Sequence, residues 1–429
     1  MIIAPLRLGI AGLGTVGVGV LKIINKNASL ISLRTGRDVI VTAVSARSQS
    51  KDRGISLSGL AWENDPIALA MREDVDVFVE LIGGSDGPAK DATEAAIAAG
   101  KDVVTANKAM LAVHGQSLAL AAESAGRAIR FEAAIAGGIP VVKALSEGLA
   151  GNKINRILGV MNGSCNYILT RMETSGLTYE DIFAEANALG YLEADPNLDV
   201  GGIDAAHKLA LLASIAYGTE VDFDNVVLEG IGAVTIEDIR AAADMGYRVK
   251  LLGVAQMTGR GLEQRMTPCL VPASSPLGQL EGGTNMVILE GDDSGQIVLR
   301  GAGAGEGPTA SAVMSDILDL ARGLRLNTFS QPAKTLSKAH PAATTTPAPF
   351  YLRMQLLDKP GALAKIAAVM GEAGVSIDRM RQYGHDGSKA PVLIVTHKTT
   401  RAAIDQVLVD FNITNVVEGT PVALRIETA

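Results

Sequence analysis

Between residue 6 and about residue 140, short apolar runs alternate with Ala-rich stretches of helical spacing. Leu6 to Ile10, Val39 to Val44, Val75 to Leu81 and Asp102 to Thr105 read as strands. Their near-continuous apolar character suits strands covered on both faces. Strands separated by helices predict a doubly wound parallel sheet. From about 141 to 300 the pattern changes to longer helical runs, Tyr179 to Leu189 and Ile203 to Tyr217, followed by a strand candidate at Met286 to Glu290. This stretch is expected to be a second α/β domain. At 301–324 a glycine-rich turn runs into Pro308 and Thr309 at a helix start, so the chain is expected to return and complete the first domain over about 301–330. Residues 335–349 mix proline with small polar residues and predict an exposed linker. Residues 350–429 then read βαββαβ: strand Tyr351 to Leu357, helix Leu363 to Glu372, strands Val375 to Arg379 and Val392 to Thr396, helix, strand. That order is typical of ferredoxin-like modules.

Composition supports the α/β reading. Apolar residues are 48% of the chain and aromatics 3%, so burial must come from Ala, Val, Ile and Leu. A net charge of −8 with no basic patch argues against nucleic acid and anionic membranes as partners. No positively charged leader precedes the first apolar run, and no apolar stretch of membrane-spanning length is evident, so a cytoplasmic protein is expected. Cys165 and Cys269 lack metal-type spacing and are expected as free thiols in a reducing compartment.

Candidate chemistry begins at Gly12-Leu-Gly14-Thr15-Val16-Gly17, a G-x-G-x-x-G between a strand and a helix. Gly12 permits the tight turn, Gly14 lets backbone approach a pyrophosphate, and Gly17 allows close helix packing, with the helix N-terminus facing the phosphates. A glycine turn that binds nothing is the bland alternative. After the second strand, Ala46-Arg47 stands where NAD-selective sites present an acidic residue. Arg47 suits a 2′-phosphate, which leans the reading toward NADP, with NAD and an ordinary surface arginine as the alternatives.

The stretches Val79–Gly84 and Gly100–Lys108 read as strands whose ends face the cofactor crevice, which would put Lys108 there. A solvated lysine is the competing reading. Asp204 and Lys208 sit i and i+4 on a predicted helix, so the carboxylate can hold the ammonium; a surface ion pair would look the same. Glu193, Asp195 and Asp199 concentrate negative charge on a short segment around Pro196 that is expected to be irregular and suited to an ammonium group. A calcium loop fails on spacing, because Val200 and Ala206 fall where glycine and a bidentate glutamate are needed.

With these motifs together, and with ELIGG, VVTANK, NGSCNYIL, GYLEADP, DVGGIDAAHK and GAGAGEGPTASAV, the chain closely resembles homoserine dehydrogenases over essentially its whole length. The resemblance implies a nicotinamide-dependent oxidoreductase interconverting homoserine and aspartate 4-semialdehyde, with a Rossmann-type first domain and a catalytic and dimerisation domain after it. It implies Lys208 as the acid/base, Asp204 as its support, Lys108 in the same site, Glu193 and Asp199 as substrate ligands, and Gly305 in the loop near the cofactor. It also implies a sodium or potassium site at Glu132 and the carbonyls of Ile135, Gly137 and Ile139. The sequence departs from the family pattern at Ser164, usually threonine, and at Glu306, usually small. The run Leu357–Gly361 and Val375-Ser-Ile-Asp resemble an ACT domain, which implies an amino-acid effector, here expected to be threonine. A homodimer or homotetramer is expected. The alternatives are another dehydrogenase of the same cofactor fold, for which Cys165 would be the only acylating nucleophile in reach, and a non-catalytic sensor of nucleotide and amino acid.

Overall fold

The protein is described by a computed structural model over residues 3–192, 195–342, 346–383 and 388–428. Six strands, β1 (Leu6–Ala11), β2 (Val39–Ser45), β3 (Ala61–Glu63), β4 (Val77–Glu80), β5 (Asp102–Thr105) and β6 (Ile129–Arg130), form a parallel sheet in the order β3-β2-β1-β4-β5-β6. Leu8, Ile10, Val77, Phe78, Val79, Val103 and Val104 are fully buried, as strands covered by helices on both faces require. Strand order reverses between β1 and β4, and in such sheets ligands bind beyond the strand ends at that switch point. Helix Thr15–Thr35 is long and apolar enough by length and composition to cross a membrane. It instead packs Val20, Leu21, Ile24 and Ile31 into the core it shares with β1 and with Ala310, Val313 and Ile317 of helix Glu306–Ala321.

The second sheet is built from β7 (Ile154–Val160), β8 (Val227–Leu228), β9 (Tyr247–Thr258), β10 (Gly261–Pro272), β11 (Thr284–Gly291), β12 (Gly295–Ala302), β13 (Phe350–Leu357), β14 (Ile377–Gln382), β15 (Lys389–Thr396) and β16 (Val417–Ile426). Its order is β12-β11-β7-β9-β10-β16-β13-β15-β14, with β8 beside β10. Alternation divides the faces. Ile157, Leu251, Leu270 and Leu289 join the large core under the helices, whereas Leu158, Leu252, Cys269 and Ile288 form a separate cluster on the other side.

Several expectations differ from what folds. The strand expected from Val375 starts at Ile377, and Val75 precedes β4 instead of opening it. The segment expected as an exposed linker is paired. Leu262 N–H donates to the His340 carbonyl at 2.8 Å, Ala342 N–H donates to the Leu262 carbonyl at 3.0 Å, and Leu336 and Ala348 are buried. Composition shows that this segment has no periodic apolar face, but it cannot show that its backbone groups satisfy those of another strand.

The 350–428 module shows the ferredoxin-like order β16-β13-β15-β14, with helices Ala362–Glu372 and Arg401–Ile413. It is also continuous with the second domain, because β16 pairs in parallel with β10 through Cys269↔Arg425 and Leu270↔Ile426. Ion pairs of Arg353 with the fully buried Asp238, and of Arg381 with Asp244, reinforce that junction.

Lys250 on β9 is buried and donates to Asn166 Oδ1 at 2.9 Å and to the Leu280 carbonyl, which ties helix Gly163–Ser175 to the sheet. Burial lowers its pKa from 10.5 to about 8. A depressed lysine stabilises the fold above its unfolded pKa and loses that contribution as pH falls through the folded one. Lys250→Met should therefore flatten the rise in stability between about pH 8 and 10.5 by up to about 3 kcal/mol relative to the parent, read by denaturant unfolding. Identical profiles would show that the ammonium is not strained by burial.

Candidate active site

Helix Ile203–Tyr217 is apolar and buried on nearly every side, so a charge carried on it must find a partner in the protein. Asp204 and Lys208, one turn apart, provide that pair: Lys208 Nζ lies 2.6 Å from Asp204 Oδ2 and donates to the Met161 carbonyl at 3.0 Å. Asp204 Oδ1 lies 2.7 Å from Lys108 Nζ. Lys108 opens helix Lys108–Ser124 just beyond β5, where Asn107 caps the helix by accepting from Met110 N–H at 3.1 Å. One carboxylate thus joins two ammonium groups from different domains. Burial would push the Asp204 carboxyl up, but the two lysines outweigh it and hold the group well below the usual carboxylate range.

The surrounding turns are fixed by polar contacts. Glu80, fully buried at the end of β4, accepts from Ile82 N–H at 2.7 Å, Gly83 N–H at 3.0 Å and the Thr105 hydroxyl at 2.5 Å. Asn107 Nδ2 donates to the Gly84 carbonyl at 2.7 Å, which joins the ELIGG and VVTANK turns. Across the cleft Asn162 caps helix Gly163–Ser175 by accepting from Cys165 N–H at 2.8 Å, and its Nδ2 lies 3.3 Å from Asp199 Oδ1. Asp199 is buried. Its helix, Pro196–Val200, replaces the irregular segment expected there, because Asp195 accepts from Asn197 N–H at 3.1 Å and Pro196 suits the first helical position. Asp195 therefore serves as an exposed cap and not as a cleft residue. Glu193, the other acidic candidate, lies outside the described residues.

These groups meet in a cavity of about 520 Å³ lined from both domains, by Val16, Lys108 and Ile135 on one side and Asn162, Asp204 and Lys208 on the other. At the fingerprint, Gly12 has φ +101 and a Cβ there would stand 2.3 Å from the Leu81 carbonyl oxygen, while a Cβ at Gly17 would stand 2.1 Å from the Gly12 oxygen. Gly14 has open space before it, and Gly14 and Thr15 are exposed at the start of helix Thr15–Thr35. That turn fits a dinucleotide's pyrophosphate. Arg47 is exposed just past β2. Gly305 is the residue before helix Glu306–Ala321, but Gly303 and Ala304 are the loop residues that line the cavity. Glu306 turns to Lys22, 2.7 Å away on helix Thr15–Thr35.

Glu132 is buried and accepts from Val142 and Lys143 N–H, both at 2.9 Å. Burial, with Asp316 nearby, pushes its carboxyl up to about 7. Ile135 lines the cavity, and Gly137 packs so closely that a Cβ there would meet the Gly303 oxygen at 2.4 Å. The Ile139 carbonyl accepts from Val141 N–H at 2.8 Å.

Sequence reasoning passed over Asn162, Thr309 and Asn285, all of which line the cavity. The NGSCN run carried a signal for Asn162, since Asn before a helix reads as a cap. Asn285 gave none: it is a buried residue of β11 whose Oδ1 has no hydrogen-bond partner among the described residues. Cys165 is fully buried, its Sγ donates to the Asp199 carbonyl at 3.2 Å, and burial pushes its pKa up, so a thiolate is disfavoured. This argues against the acylating alternative.

Comparison with known proteins agrees with the geometry. Residues 140–318 match the family described as homoserine dehydrogenase, residues 12–132 its NAD-binding domain, and residues 350–409 the ACT domain. The chain is 41% identical to the homoserine dehydrogenase of Neisseria gonorrhoeae, covering 99% of both chains. It overlays a homoserine dehydrogenase structure from Thiobacillus denitrificans with TM-score 0.94 and 37% identity over 100% of both chains. A hyperthermophilic archaeal homoserine dehydrogenase in complex with NADPH aligns with TM-score 0.62 and 26% identity, covering 73% of this chain and 97% of that one.

Asn162→Ala should remove the helix cap and the donor to Asp199, with an expected destabilisation of about 1–2 kcal/mol in denaturant unfolding. An unchanged midpoint would show that the cap is dispensable.

Proposed function

The chain belongs to the homoserine dehydrogenase family, and on that premise we propose that Lys208 moves the proton in an NADP-linked interconversion of L-homoserine and L-aspartate 4-semialdehyde. The observation that carries this reading is the position of the Lys208 ammonium in one cavity with Val16 of the glycine fingerprint. A nicotinamide bound along that fingerprint supplies or accepts the hydride at the substrate's terminal carbon. In aldehyde reduction Lys208 stabilises and protonates the alkoxide oxygen, and in alcohol oxidation its neutral amine takes the hydroxyl proton. Asp204 holds the amine in place, and Lys108, on the other oxygen of the same carboxylate, adds positive charge near the developing oxyanion. Asp199, with Glu193, takes the substrate ammonium.

For the cofactor, this reading has Gly12, Gly14, Thr15, Val16 and Gly17 at the pyrophosphate, Gly305 in the flanking loop, and Arg47 at the 2′-phosphate. NADP is favoured by the basic residue after β2, and the related archaeal enzyme was solved with NADPH. A sodium or potassium ion held by Glu132 and the carbonyls of Ile135, Gly137 and Ile139 is supported by the burial of the Glu132 carboxylate close to Asp316, where a cation would offset the lost hydration and the like charge. The cytoplasm is supported by two buried free thiols, Cys165 and Cys269. A homodimer or homotetramer, and threonine binding at the ACT domain, complete the reading. The Gly361 turn, at φ +83 with no atom within 4 Å of a Cβ placed there, leaves room for a ligand. Truncation is a poor test of that effector, because removing β16 exposes β10. A substitution at Gly361 read by threonine inhibition is cleaner.

Absorbance of reduced cofactor during incubation with homoserine and NADP tests the activity directly. Lys208→Ala should lower kcat by roughly 10²–10⁴, and near-normal kcat would reassign the proton. Asp204→Asn, which leaves two ammonium groups facing each other without their shared carboxylate, should lower kcat at least about tenfold by releasing Lys208 from its place. An unchanged kcat would sink the coupling. Arg47→Ala should cut the preference for NADP over NAD in kcat/KM, and an unchanged ratio would remove Arg47 from cofactor selection.

A further inference from the structure

A second cavity, of about 1160 Å³, lies between the second domain and the C-terminal module and shares no lining residue with the Lys208 cavity or with the Gly361 turn. Arg265 of β10 and Arg425 of β16 stand on its wall. They project from one face of the sheet, because Arg425 pairs with Cys269, four residues along β10 from Arg265. Both are buried, with 3% and 7% of their surface exposed.

The two guanidinium groups converge on a single carboxylate. Arg425 Nε donates to Glu427 Oε1 at 2.5 Å, and Arg265 Nη2 contacts the same oxygen. The other oxygen of Glu427 faces Arg156 at 3.5 Å, and Arg156 is paired with Glu290 at 2.9 Å. Glu263, the neighbouring acid on β10, accepts from Gln256 and from Thr346. Arg425 Nη2 donates to the Thr346 carbonyl at 2.8 Å. Three N–H groups are left over: Arg265 Nε and Nη1 and Arg425 Nη1 are buried without a hydrogen-bond partner among the described residues. Buried guanidinium groups are ordinarily paired, and their forked N–H groups match a two-oxygen anion. Burial and the charge of Arg265 lower the Arg425 pKa, the response of a cation short of negative charge.

We propose that this cavity binds a small carboxylate-bearing metabolite of amino-acid size, with its carboxylate on Arg265 and Arg425. Glu229 in the cavity lining favours a carboxylate that also carries an ammonium over a phosphate, while Asp405 is already paired with Arg401 at 2.7 Å. The site spans β10, which runs beneath the catalytic helix, and helix Arg401–Ile413 of the C-terminal module, so occupancy would stiffen the junction between them.

Thermal melts and calorimetric titrations of the full chain with L-threonine, L-aspartate, succinate and inorganic phosphate test this. At least one carboxylate should raise Tm and give a saturable isotherm. Its Kd should weaken more than about tenfold both in Arg425→Gln and in Ala402→Trp, which intrudes on the cavity from its exposed helix while leaving both arginines in the sequence. The ligand-free melt of Ala402→Trp shows that the fold is intact should Arg425→Gln fail to fold. Stabilisation by phosphate alone, binding that survives Ala402→Trp, the absence of any shift, or an oligomer that Ala402→Trp dissociates without any anion effect would each overturn the proposal.

Discussion

A carboxylate buried between two ammonium groups is the constraint around which this protein is organised. Asp204 reaches Lys208 on its own helix and Lys108 at the end of a strand in the other domain. Removing one member of such a buried set costs about 3–5 kcal/mol, because it strands an uncompensated charge. The first domain therefore presents the end of β5, and the second the start of helix Ile203–Tyr217, within ion-pair distance of one another at the cleft. The fingerprint, the Glu80 network and the Asn162 cap each fix one wall of it.

The helix carrying Asp204 and Lys208 is nearly all apolar, and this explains how a lysine is held so firmly. Ala205, Ala206, Leu209 and Leu212 lock the backbone into the core under the second sheet. Asp204 and Lys208 face the cleft, while the buried Ser214 hydroxyl farther along the helix is satisfied by the Thr219 carbonyl. Lys208 spends further hydrogen-bonding capacity on the Met161 carbonyl, at the end of β7, so the amine is tied to strand and helix alike. Electrostatic stabilisation of a developing oxyanion depends on this kind of preorganisation.

The C-terminal module is joined to the catalytic body by strand pairing and by buried charge. β16 continues the sheet beside β10, Arg353 meets Asp238, and Glu427 gathers arginines from β7, β10 and β16. Hydrogen-bonded backbone thus runs without a break from the module to the strands beneath helix Ile203–Tyr217. On the way to the module, the described segment around 337–342 pairs with Leu262 and with Gly218 and Glu220.

The sequence by itself determined whatever rests on local rules. Apolar runs marked the parallel strands, glycines at Gly12 and Gly17 marked a turn that no side chain fits, and i to i+4 spacing placed Asp204 against Lys208. Family motifs carried Lys108 into the same site. Only the tertiary structure decided that Lys108 and Lys208 share one carboxylate, that Asn285 reaches the cavity, that Asp195 is a cap, and that the module extends the sheet at β10. Periodicity and spacing report what a residue does within a turn of helix or along one strand. Which strand edge pairs with which, and which buried charges find each other, is settled by desolvation and hydrogen bonding between segments far apart in the chain, and one linear pattern fits many such pairings.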